Sequence, residues 1–178
     1  MSEFSESYHL RSPSRRDASS LLARAGLAGF VFPAQDGWVS FVAAGTPFQP
    51  NATLLAANEG LLLRWAYGED HGWGFDLHGG TQRLLGYGCD WEDEIRFDAG
   101  FDPVALERAL GLALPGLRGT AGRRIFAPGG FEQLFEYKPA YAFAAALGLR
   151  HYRWLSYAYL SNDAASGKPL PAGVLSIR

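Results

Sequence analysis

Between Phe30 and Phe97 apolar residues recur in short runs, separated by turns rich in Gly, Pro and Asp. Phe30-Val31-Phe32 reads as a first strand, Pro33 to Gly37 as a turn, and Trp38 to Val42 as the next strand. After a loop with Gly45, Pro47, Pro50 and Asn51, the pattern resumes at Leu61 to Tyr67, Trp73 to His78, Leu84 to Trp91 and Ile95 to Phe97. The connections Gly68 to Gly72 and Gly79-Gly80 are short, and strands joined so closely pair antiparallel.

Outside this stretch the periodicity is helical. Ser12-Pro13-Ser14 is a helix start, Leu21, Leu22 and Ala25 lie on one face, and Gly26 is a stop. Asp102-Pro103 is an N-cap followed by an N1 proline, opening a helix over 102–113 that Pro115-Gly116 ends. Residues 116–130 read as a loop carrying Arg118, Arg123 and Arg124. Helices follow over 130–137 and 139–148, the second closed by Gly148. Tyr152 to Leu160 has apolar residues on both faces of an extended chain, which predicts a final strand covered on both sides. Val174 to Ile177 fits a short edge strand.

The prediction is therefore an α+β domain spanning 13–178, preceded by a flexible N-terminal tail at 1–12. An antiparallel meander of about five to seven strands would carry the helices on one face. Expected core positions include Phe30, Phe32, Phe41, Leu61, Leu63, Trp65, Phe75, Leu77, Leu85, Tyr87, Leu106, Leu110, Phe143, Leu147, Trp154 and Leu155.

Composition narrows the function classes. The chain has 178 residues, enough for one domain, with 48% hydrophobic and 14% aromatic residues. A formal net charge of -2 argues against a general nucleic-acid binder, which needs a basic surface to release counterions. The single cysteine excludes an intrachain disulfide and multi-thiolate zinc sites. The polar N-terminus lacks a signal-peptide core, and no apolar run approaches the roughly 20 residues that span a bilayer. A soluble, cytoplasmic protein is the expectation.

Four groups of residues hold candidate chemistry. Asp76 and His78 share a strand face by their spacing of two, and His71 lies in the preceding turn. Together they are a possible divalent-metal set for a small hydrolase, against the plainer reading of turn and solvent-face residues. Asp90, Glu92 and Glu94 lie on one face of an extended chain and offer a negative surface to a basic partner. Arg123 and Arg124 precede Gly129-Gly130, a helix start where an anion would be welcome. Tyr157 and Tyr159, with Tyr152 and Trp154, suggest an aromatic binding groove. Cys89 falls in register with Leu85 and Tyr87 on the apolar face, so it reads as a structural cysteine, and no Gly-x-Ser-x-Gly nucleophile motif occurs.

Abundant aromatics and an acidic patch without a catalytic motif favour a non-enzymatic protein-binding role, adaptor or immunity-like. The alternatives are the metal-binding hydrolase built on Asp76 and His78, and a small-molecule pocket lined by Trp and Tyr. No cofactor is expected outside the metal alternative. A protein partner is expected, neither nucleic acid nor membrane is, and an exposed sheet edge would permit a homodimer.

Overall fold

Eight strands form one antiparallel sheet in the computed structural model, which describes residues 2–178. In chain order they are β1 (Phe4–Arg11), β2 (Gly29–Val31), β3 (Trp38–Ala43), β4 (Leu61–Gly68), β5 (Gly72–Gly79), β6 (Gln82–Asp90), β7 (Arg96–Phe97) and β8 (Leu175–Ile177). Across the sheet the order is β7-β6-β5-β4-β1-β3-β2-β8. The predicted α+β class and antiparallel sheet hold, with slightly more strands than expected. From β4 to β7 the chain is a meander, and β8 is an edge strand against β2.

The N-terminal segment departs from the tail expected at 1–12; of that span only Met1 lies outside the described residues. Phe4 to Arg11 is an inner strand, hydrogen-bonded to β3 on one side and β4 on the other. The polar residues that made it look like a tail are buried. Ser5, Ser7 and His9 alternate onto one sheet face and are fully enclosed. The His9 ring bridges the hydroxyls of Ser7 and Ser40, each at 2.9 Å. Ser5 accepts the Leu155 N–H at 3.0 Å and donates to the carboxylate of Glu3. Each polar group thus finds a partner inside, so the strand buries without an apolar pattern on that face.

Helices cover both faces rather than one. On the first face α1 (Arg15–Ala25) and α2 (Ala52–Ala56) pack over Tyr8, Leu10, Val39, Phe41 and Leu62 through Leu21, Leu22 and Leu54. Ser14 and Asn51 cap their N-termini, and Gly26 in the left-handed conformation ends α1. On the opposite face α3 (Pro103–Leu110), α4 (Gly119–Phe126), α5 (Phe131–Tyr137) and α6 (Pro139–Ala146) cover Leu63, Trp65, Trp73, Phe75 and Tyr87. Helix α3 stops at Gly111, before Pro115, because the glycine takes the left-handed cap at φ 64°. The segment expected to be a loop at 116–130 contains α4, which buries Ile125 and Phe126.

The predicted strand at Tyr152 to Leu160 does not form. Residues 151–156 are irregular and α7 (Tyr157–Ala165) follows, capped by the Ser156 hydroxyl, which accepts from Tyr159 N–H. Trp154 sits at φ 48°, which interrupts an extended run, and it is 50% exposed rather than core. The backbone here is captured by β1 and the residue before it. Trp154 N–H donates to Glu3 at 2.7 Å, and Leu155 O accepts from Glu6 N–H at 2.8 Å.

Glu3 is the anchor of this arrangement. Its carboxylate is buried and accepts from Ser5, Tyr141 and the Trp154 backbone. Glu3→Ala leaves those donors without a partner, and we expect it to destabilise the fold by about 3 kcal/mol. Urea unfolding of the variant checks this; a midpoint equal to wild type would show that the three contacts contribute nothing net.

Candidate functional site: an open cleft on the sheet

Strands β4 to β6 are built asymmetrically. Trp65, Tyr67, Trp73, Phe75 and Tyr87 point to the face covered by α3 to α6. The alternate positions on the other face are small: Ala66, Gly74 and Gly88 stand opposite one another across the three strands, and Gly68 pairs with Gly72. The first-face helices α1 and α2 stop over β1 to β3 and leave this backbone uncovered. A cleft of about 520 Å³ results, walled by Phe4, Phe48 and His71 and bounded by Arg64, Asp76 and Asp90.

Not all the glycines have the same cause. A Cβ on Gly74 would lie 2.7 Å from the Tyr87 carbonyl oxygen, and one on Gly86 2.8 Å from that of Phe75. The crowded neighbouring strand therefore requires glycine at these two positions. Gly88 is different: the nearest atom to its added Cβ is a carboxylate oxygen of Asp98 at 3.7 Å. Packing would admit a side chain there, so glycine at 88 keeps the cleft open, as strand glycines do where another group approaches the backbone.

Phe48 forms the rim. It has φ 59°, a conformation that disfavours a bulky side chain, and it is 41% exposed. Such strain costs roughly 1–3 kcal/mol and persists only where neighbours hold it. Here the Glu6 carboxylate accepts the Phe48 N–H at 2.9 Å. The ring meets Phe4 edge-on at 5.9 Å, and Phe4 in turn lies 5.8 Å from His71. Beyond these two phenylalanines a second hollow of about 230 Å³ runs on to Tyr8, Tyr157 and Tyr159. The Tyr159 hydroxyl accepts from Phe4 N–H at 3.1 Å, tying α7 to the start of β1.

Charges are distributed unevenly around this surface. Arg64 is buried and donates from Nε to Glu6 at 2.7 Å, with Asp76 at 3.6 Å from Nη1. Asp76 also receives Arg83 at 2.7 Å. At the other end His71 and Asp90 open into an acidic hollow of about 280 Å³ that holds Glu92, Asp93 and Glu94. His71 pairs with Glu92 at 2.7 Å and Arg96 with Glu94 at 2.6 Å.

The residues singled out from sequence therefore separate. Asp90 on the cleft, with Tyr157 and Tyr159 on the adjoining hollow, comes to one surface. Glu92 and Glu94 lie beside it, though on the loop after β6 rather than on a strand. Arg123 and Arg124 lie on α4, across the sheet, and Arg124 stacks 5.4 Å above the Tyr137 ring. The possible metal set does not assemble. Asp76 is engaged by two arginines, and His71 by Glu92. His78 is buried, which holds its imidazole below the ordinary histidine range. Among the described residues no group of three or more His, Cys, Asp and Glu could hold a metal ion.

Neither Cys89 nor Ser7 is accessible as a nucleophile. Burial pushes the Cys89 thiol up to about 11. Ser7 and His9 have the spacing of a nucleophile and its base, yet both are fully enclosed. Phe4, Phe48 and Gly88 were not singled out in the sequence. The alternations Trp73-Gly74-Phe75 and Gly86-Tyr87-Gly88 are a readable signal for the cleft floor; nothing local marks Phe48, whose role depends on Phe4 and Glu6.

No helix among the described residues is long and apolar enough to cross a membrane. No protein-family model matches this chain, and comparison with curated proteins and with solved structures finds no match either.

Proposed function

We propose that the protein is a non-enzymatic binding protein, of the adaptor or immunity-like kind, that holds a segment of a protein partner in the two-lobed cleft. The observation that carries this reading is the bare glycine backbone of β4 to β6, left open at Gly88 without a packing reason and gripped by a strained Phe48. Each lobe has room for an apolar side chain, one over the Gly74 and Gly88 backbone and one beside Tyr157 and Tyr159. The larger lobe also falls within the roughly 300–1,000 Å³ of small-ligand sites, which supports a small apolar molecule as a second reading.

Gly88→Trp tests the site. The indole would fill the cleft from a position with room for a side chain, on a strand where an aromatic is favoured over glycine. The variant is expected to unfold within about 1 kcal/mol of wild type. Phe48→Asn complements it, because asparagine tolerates the left-handed backbone while removing the ring. A photoreactive residue introduced in place of Thr46, beside Phe48, should cross-link a protein partner in cells. Gly88→Trp should abolish that adduct and Phe48→Asn should weaken it. Adducts indifferent to Gly88→Trp would overturn the proposal.

A further inference from the structure

We infer that the partner segment is basic next to its apolar residue, with a lysine or arginine lodged in the acidic hollow at the Asp90 end; this rests on the cleft reading above. Asp90 belongs to both the cleft and the hollow, so a chain lying over Gly88 leads directly into the carboxylates. Within the hollow, Glu92 and Glu94 are answered by His71 and Arg96. Asp90 and Asp93 have no cationic partner within ion-pair distance among the described residues. Arg64, which lines the cleft, and the neighbouring Arg83 are occupied by Glu6 and Asp76.

Asp90 and Asp93, without ion-pair partners among the described residues, are exposed at the end of the apolar trough. A cationic side chain with a long methylene stem matches that sequence of environments, its stem along Phe4 and the glycine floor and its charge beside Asp90 and Asp93. An acidic segment would meet two like charges there, and a neutral one would leave them unpaired.

Three peptides serve as probes of the full-length protein: acetyl-Lys-Leu-Lys-Phe-Lys-amide, its glutamate counterpart and its serine counterpart. Amide shifts of Gly68, Gly74 and Gly88 report occupancy of the cleft. The lysine peptide is expected to bind about tenfold or more tightly than the other two, and to weaken as salt rises. Asp90→Asn with Asp93→Asn should remove that preference, while Glu132→Gln on α5, across the sheet, should leave it intact. Binding that requires the open cleft, lost in Gly88→Trp, but shows no preference for lysine would overturn this inference and leave the cleft reading standing. Binding untouched by Gly88→Trp would overturn the cleft reading itself. Absence of binding by all three at millimolar concentration would overturn the inference as well.

Discussion

A chain lacking residues 2–11 will not fold. That segment supplies β1, which joins the two halves of the sheet through its ladders to β3 and β4. Without it β2, β3 and β8 have no connection to the β4 to β7 meander. Tyr8 and Leu10 are also removed from the core formed with Leu21, Phe41 and Leu62, and with Glu3 and Ser5 gone the backbone N–H groups of Trp154 and Leu155 lose their acceptors. A domain of this size is stable by about 5–15 kcal/mol, less than the combined loss of two ladders and the buried side chains. The expected result is a chain with no cooperative thermal transition and no near-ultraviolet dichroism from its tryptophans. A truncated protein that melts cooperatively would show that β1 is an accessory strand.

Acid should weaken the fold from about pH 6.5 downward, starting above the pH at which its carboxylates titrate. Burial holds the His9 imidazole down to about 3, with His151 adding in the same direction. In the unfolded chain a histidine takes up its proton near pH 6.5. The depressed folded value means that His9 favours the fold fully above pH 6.5, and that this contribution is lost as pH falls from 6.5 towards 3. The loss amounts to about 1.4 kcal/mol per pH unit and about 4–5 kcal/mol across the window. His78 and His151 are also lowered by burial and steepen the same slope. Denaturant midpoints between pH 7.5 and 4 measure it. His9→Gln, which can still bond a neighbouring serine, should start less stable but lose stability with a slope shallower by close to one proton. Equal slopes for the two proteins would mean that His9 takes no part.

Both results concern the region where sequence reasoning fared worst, and for one reason. Hydrophobic periodicity finds strands that have an apolar face and a polar face, as in Leu61 to Tyr67 and Trp73 to His78. In β1 the second face is polar yet buried, because Ser7, His9 and Ser40 satisfy one another and Ser5 satisfies Leu155. A local pattern cannot reveal partners that are distant in the chain. The mistaken strand at 152–160 has the complementary origin. Its aromatics alternate as in a covered strand, but the backbone N–H groups of Trp154 and Leu155 are taken by side chains near the N-terminus. The site was legible in the same uneven way. Glycine alternating with aromatics in β5 and β6 is visible in the sequence; the position of Phe48 above those glycines is not.

The sequence by itself determined the local choices: where chains turn, which helices are capped by Ser14 and Asp102, which strands of the meander pair, and that Cys89 is buried. These follow from residue conformational preference and short-range periodicity, which act within a few positions. Tertiary structure decided the rest. It placed the N-terminal strand in the middle of the sheet, divided the helices between two faces, drew Asp76 into ion pairs with Arg64 and Arg83, and left the Gly88 surface bare beside Asp90. Each of these depends on which distant groups meet after burial, and burial sets both the hydrogen-bond partners a polar side chain can find and the charges it must neutralise.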